Sequence, residues 1–296
     1  MRPTRSWLPL FVGIALSWGS AFIFIKSGLE FLTPIGVAFS RYALGGLAML
    51  LFALRRQVRF PHNRRELGHI FVLSLFQSSL YGVLMALAQT QVTSALAGIA
   101  GALVPLMTFL AIVFVFRSEK MTREQIVGLV IGLLGTLVIL GVWQGFGDVP
   151  AWALFALLGC TICYGLSYPY TKKYILPHGT APEALVATQF GFSAATLLPV
   201  FLFFGVREAP SSVNQVLSMV ALGILCTGIS FVWNFRLIAL AGSLIASTVI
   251  YFVPIVAITI SVVFTSEELT WFELVGCGVV LLGAAVGQGR LRLKSR

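Results

Sequence analysis

The residues that could do chemistry in this chain are polar and aromatic side chains set into otherwise apolar runs. Gln77 and Tyr81 are one helical turn apart, so on a helix they share a face. Trp18 and Ser20 fall in one apolar run; Tyr164, Ser167 and Tyr168 fall in another. Gln189, the adjacent Trp233 and Asn234, and Tyr251, just before Pro254, complete the set. Aromatic faces with a few amides and hydroxyls suit non-covalent recognition of a modest-sized amphipathic or zwitterionic solute. Each residue could equally serve packing, an amide finding its partner on a neighbouring helix. Bond-breaking chemistry has no comparable set. No Ser/His/Asp, Cys/His or paired-acid arrangement is clustered, no phosphate-binding glycine loop is present, and His62, His69 and His178 fall in loops or at the very start of a span. The expectation is no catalytic residue, no metal site and no cofactor.

Three further features could shape a cavity among these groups. Arg41 lies about two turns into an apolar run, where a charge needs water, a partner or an interface. It would contact an anion or carboxylate, form a gating pair, or act as a strut that snorkels outward or binds backbone carbonyls. Pro105 and Pro254 each interrupt an apolar run, removing a backbone donor and freeing a carbonyl so that a helix can kink. Gly98 and Gly101 thin the first of these runs, permitting close helix contact or leaving room for a ligand.

The elements that must position these groups are membrane helices. The sequence is 58% hydrophobic and 10% charged, against about a quarter charged in soluble domains. Charges, prolines and glycines divide it into ten apolar spans: 7–26, 35–54, 68–89, 94–116, 125–143, 151–171, 184–204, 215–236, 243–265 and 271–288. Such lengths suit tilted helices crossing about 30 Å of hydrocarbon, and no alternating barrel pattern is present. The first span has flanking arginines like a signal peptide but no small-residue cleavage site, and reads as an uncleaved helix. Trp7, Trp143, Trp152 and Trp271 suit an interfacial aromatic belt. Cys160, Cys163, Cys226 and Cys277 all sit in apolar runs and read as small packing residues.

The net charge of +10 does not imply a nucleic-acid partner, because the basic residues flank spans. With both termini placed in the cytoplasm, only Lys26, Arg41 and Arg207 of the twenty lysines and arginines fall outside the inner loops and tails. The expected location is therefore the cell's inner membrane, with lipid and a small-molecule solute as partners. The ten acids lie in loops or near span ends, so proton exchange through a carboxylate at the membrane centre has no obvious carrier.

The chain also repeats itself. Pro105 and Pro254 hold the same place in two similar stretches, followed by Glu119 and Glu267, by Thr122 and Thr270, and by Gly128 and Gly276. Trp18-Gly19 matches Tyr164-Gly165, Lys26 matches Lys172, and Arg41 matches Gln189. The expected fold is all-α and membrane-embedded, with one repeat over 1–146 and a second over 147–296. Five helices is an odd number, so the second copy would enter the membrane from the opposite side, as in inverted-repeat carriers built around a central cavity. The GxxxG pairs Gly128–Gly132 and Gly283–Gly287 would serve internal packing of helices 5 and 10 or a two-fold homodimer through them.

With these motifs in hand, the chain resembles the EamA-type members of the drug/metabolite transporter superfamily. The resemblance rests on ALSWGSAFIFIK, TPIGVAFSRY and VP followed by SEKMTREQIVG in the first half. In the second half it rests on CYGLSYPYTKK, FVPIVAITISVVF and SEELTWFELVG. It implies a ten-helix carrier, often an exporter of amino acids or other metabolites, working by alternating access. It also implies an arginine at position 41 whatever the substrate, which favours the strut. A proton-coupled multidrug exporter of the same fold is the first alternative. A membrane enzyme or a non-transporting scaffold is the alternative of another class.

Overall fold

The computed structural model describes residues 7–92, 97, 100–117, 119–145, 149–256, 259 and 270–287. Gly98, Asp148, Glu267, Glu268 and the basic C-terminal tail lie outside the described residues. The described residues form ten helices: α1 (Leu8–Leu29), α2 (Pro34–Arg55), α3 (Arg64–Ala88), α4 (Ala100–Phe116) and α5 (Arg123–Ile139), then α6 (Ala151–His178), α7 (Pro182–Phe204), α8 (Val213–Ala241), α9 (Ser243–Val256) and α10 (Trp271–Gly287). Six of these, 22 to 29 residues long, are long and apolar enough to cross a membrane. The chain is an all-helical membrane protein.

Helix starts follow local chemistry. The Thr33 hydroxyl accepts from the Gly36 N–H at 3.1 Å, with Pro34 as first helical residue, so α2 begins with one orphan donor satisfied and one absent. Asn63 caps α3 through the Arg65 N–H. Thr122 and Gln125 form a reciprocal capping box on α5. That cap explains why α5 starts at Arg123, earlier than the apolar run alone predicts. At the other extreme, α6 runs on to His178 through a wide turn over Thr171–Ile175 and a tight one over Leu176–His178. Lys172 and Lys173 therefore sit on a helix extension rather than in a loop.

The helices are irregular at matched places. α4 has a turn at Leu103, before Val104 and Pro105. α9 tightens to a 3-10 helix over Thr248–Phe252, before Pro254. Proline has no N–H to donate to the carbonyl of the preceding turn and its ring crowds that carbonyl, which accounts for the change of pitch just upstream of both. The third helix of each half carries a wide π-type stretch, Ser74–Leu80 in α3 and Ile224–Ile229 in α8. Packing follows the same correspondence: α2 lies on α7, α5 on α10, α1 on α8 and α6 on α3. Large apolar side chains such as Phe114, Phe155, Phe203 and Leu202 face outward, as lipid-facing residues would.

The α5–α10 seam absorbs the GxxxG glycines. A Cβ on Gly128 would stand 2.5 Å from the Gly287 Cα, and one on Gly283 would stand 2.6 Å from the Gly132 backbone nitrogen. One on Gly276 would lie 2.6 Å from the Ile139 nitrogen. Backbone atoms cannot swing aside as a side chain can, so the two helices reach this separation only with glycine at these positions. In hydrocarbon such van der Waals contact is itself the force that joins helices. Gly283→Leu is expected to wedge the seam and cost about 1–3 kcal/mol, read by denaturation in detergent. Gly278→Leu, where a Cβ meets nothing within 4 Å, should stay within about 0.5 kcal/mol of the wild type.

Candidate solute cavity

Seven helices, drawn from both halves, surround a cavity of about 90 Å³. Helical periodicity selects its wall. Trp18, Ala21, Phe22 and Ile25 form one stripe of α1, Tyr81 and Met85 one of α3, and Cys160, Thr161 and Tyr164 one of α6. Gly101 and Val104 of α4, Phe231 of α8 and Ile250, Val253 and Pro254 of α9 close the sides, with Arg41 entering from α2.

The aromatic wall is held rigidly. The Trp18 indole N–H donates to Ser230 Oγ at 3.0 Å, which fixes the ring plane. Trp18 meets Tyr164 edge-on at 5.9 Å and Phe231 at 5.8 Å, and Tyr81 and Tyr164 lie 4.7 Å apart, within the range of favourable ring pairs. The Thr161 hydroxyl donates to the Ala100 and Leu157 carbonyls, both at 2.9 Å, and Thr108 donates to the Gly165 carbonyl at 3.1 Å. The Thr161–Ala100 and Thr108–Gly165 bonds stitch α4 to α6 beside the turn at Leu103.

Arg41 is 8% exposed. Its Nε donates to Thr227 Oγ1 at 3.1 Å, and Thr227 donates to the Leu222 carbonyl across the wide turn of α8. The guanidinium also stands 5.3 Å from the centre of the Tyr42 ring, a cation–π distance. No carboxylate pairs with it among the described residues.

Of the residues singled out by sequence, Trp18, Arg41, Tyr81, Gly101, Tyr164 and Pro254 meet at this cavity. The others stand elsewhere. Gln77 and Gln189 are fully buried in a network between helices: Gln77 Nε2 donates to Ser167 Oγ at 2.8 Å, and Gln189 Nε2 donates to Gln77 Oε1 at 2.9 Å and Ser78 Oγ at 2.8 Å. This network ties α3, α6 and α7 together, the packing use that any buried amide in a membrane must find unless a ligand supplies it. Tyr251 donates to the Leu129 carbonyl at 3.2 Å with its ring over Gly132, and so belongs to the α5 interface. Ser20 turns back to the Leu16 and Ser17 carbonyls, Trp233 packs on Gly13, and Pro105 is buried beside Val104. Tyr168 and Asn234 are fully buried, and neither lines the cavity.

Sequence reasoning missed Phe22, Met85, Cys160, Thr161 and Phe231. Helical spacing from named residues would have found four of them: Phe22 follows Trp18 by one turn, Met85 follows Tyr81, and Cys160 and Thr161 precede Tyr164. Phe231 had no such signal.

A set of polar contacts crosses one end of the bundle. Lys172 Nζ lies 2.6 Å from Glu119 Oε2. Both oxygens of Glu119 accept from the Ser243 N–H at 3.2 Å, so this carboxylate also serves the first turn of α9, where the helix dipole favours negative charge. Lys173 donates to the Phe116 carbonyl at 2.9 Å. This contact joins the end of α4 to α6 and α9, about 12 Å beyond Tyr164 along α6. The cavity lies in the opposite half of the bundle, the half that carries the α1–α2 turn.

Comparison with known proteins adds to this geometry. The model of the EamA-like transporter family matches residues 5–141 and again 151–286. A transporter of Archaeoglobus fulgidus is 25% identical over 94% of this chain and 97% of its own length. The Escherichia coli inner membrane transporter YedA is 25% identical over 95% and 91%. A Streptantibioticus cattleyicolor protein described as a probable terminal-alkyne amino-acid exporter is 29% identical over 90% and 88%. A solved crystal structure shares the fold at a TM-score of 0.78 and 22% identity, covering 95% of this chain and 96% of that one. Two matched copies covering nearly the whole sequence settle the family: the chain belongs to the EamA-like transporters, and is a membrane transporter rather than an enzyme.

Proposed function

We propose that this transporter moves small metabolites, amino acids or related amphipathic compounds, outward across the inner membrane as a secondary carrier working by alternating access. Residues 1–146 and 147–296 form two inverted halves with both termini cytoplasmic. The observation that carries the reading is the cavity itself, walled by aromatic rings from both halves in a bundle crossed at one end by polar contacts that also bridge the halves. The charge bias of the loops supports a cytoplasmic position for that end and, with it, an outward-facing state. The amino-acid exporter among its relatives supports the substrate class. With the glycine faces of α5 and α10 turned to each other, a homodimer through these helices would use their outer faces, at Val130, Leu134 and Leu281.

Flux of a metabolite panel in proteoliposomes tests the reading, and absence of flux for every member would sink it. Trp18→Ala and Tyr164→Ala are expected to lower flux per folded protein at least about tenfold, equivalent to about 1.4 kcal/mol of lost recognition, over and above the fall in melting temperature that removing a packed ring brings. Gln77→Ala should instead lower the melting temperature because it strands Gln189, with loss of flux only tracking loss of folded protein. Glu119→Gln removes the negative partner of Lys172. It should shift the population toward a cytoplasm-open state, measured as faster maleimide labelling of a Ser247→Cys reporter from the cytoplasmic side. Unchanged labelling would remove the gate role from Glu119.

A further inference from the structure

Among the described residues, the cavity wall carries a cation with unused donors and no anion. A guanidinium carries five N–H groups. In Arg41 one of them, on Nε, is taken by Thr227, and the four on Nη1 and Nη2 have no hydrogen-bond partner among the described residues. Among the described residues, Arg41 is the one charged side chain in the cavity wall. No described acid lines the cavity, and three of the described acids are engaged elsewhere: Glu30 accepts from Gln215 Nε2 at 2.7 Å, Glu119 pairs with Lys172, and Glu183 pairs with Arg236. A purely structural strut would spend its donors on backbone carbonyls or a carboxylate, because a buried charge left uncompensated costs several kcal/mol. This one is instead anchored at its inner nitrogen and left open at its tip.

Resting on the transporter reading above, we propose that Arg41 is the anion subsite of this cavity. The solute is an amphipathic organic carboxylate, whose two oxygens meet Nη1 and Nη2 end-on and whose apolar or aromatic body lies against Trp18, Tyr81 and Tyr164. Paired N–H groups in one plane match a carboxylate, and such charge-assisted pairs are about twice as strong as neutral ones. Thr227 is a positioning residue: it holds Nε, and the wide turn of α8 brings it to that place. Glycines let α2 and α8 cross closely here, since a Cβ on Gly45 would stand 2.6 Å from the Gly223 carbonyl oxygen and 3.1 Å from the Gly228 nitrogen. An amino acid enters by its carboxylate end. Amines without a carboxylate are rejected, since they would set a second positive charge beside Arg41.

The test compares phenylacetate, phenylacetamide and phenethylamine, which share a ring and differ in charge. Each is assayed by thermal shift of the purified protein and by flux in proteoliposomes. Wild type is expected to favour phenylacetate over phenylacetamide at least about tenfold and to ignore phenethylamine. Arg41→Gln should bring the carboxylate-to-amide ratio close to one, Arg41→Lys should keep part of the preference, and Thr227→Val should weaken carboxylate binding while leaving the charge in place. A strut alone would alter stability without changing that ratio. Equal handling of phenylacetate and phenylacetamide by the wild type, which needs no variant to fold, overturns the subsite and leaves the carrier reading standing. So does an Arg41→Gln protein that keeps the preference. Absence of binding and flux for all three probes, together with absence of flux across the metabolite panel, overturns both.

Discussion

Inside a bilayer the backbone has no water to turn to, so each peptide group must find its partner within the protein. This constraint makes regular helix the default and gives every departure from it a location. Here the departures include the turn at Leu103 and the tightened stretch before Pro254 beside the cavity, the wide turns holding Gln77 and Thr227, and the Thr171–Ile175 extension that carries Lys172. A wide turn shifts the side-chain register by one residue relative to a regular helix, so residues beyond it face a different neighbour. In α8 that shift puts the Thr227 hydroxyl between the Leu222 carbonyl and the Arg41 head.

The same scarcity of water divides the buried polar residues into two kinds. Gln77, Gln189, Ser78 and Ser167 hydrogen-bond one another and tie three helices together, with Gln189 Oε1 left without a partner. Trp18 and Thr161 are likewise satisfied, but they present the remainder of their surface to the cavity. An amide pair can bridge helices because it both gives and takes hydrogen bonds. A guanidinium only gives, so its tip needs an acceptor brought from elsewhere.

Fold and duplication were largely legible from sequence, because both rest on apolar run length, on Pro and Gly positions and on loop charge. The site was half legible. Trp18, Tyr81, Tyr164, Arg41 and Pro254 could be named from their intrusion into apolar runs, and their neighbours by helical spacing. Gln77, Gln189 and Asn234 intrude in the same way, yet line no part of the cavity. A polar residue's position along a helix does not reveal which neighbour rotates to meet it. Phe231 was invisible for the opposite reason: one more phenylalanine in an apolar helix carries no signal until another helix is laid against it. The GxxxG spacing on α5 and α10 announced close approach without naming its partner, since like motifs on two helices fit a contact within one chain as well as one between two.

That seam also limits how the molecule can deform. On α5 its glycines fall at Gly128, Gly132 and Gly135, steps of four and three residues, so close approach recurs about every 4.5–6 Å. Sliding α10 along α5 by a residue or two would drive side chains into the places now held open by Gly128, Gly135, Gly276 and Gly283. The pair is therefore keyed along its length, and any rearrangement of the bundle that keeps this seam intact carries α5 and α10 together as one body.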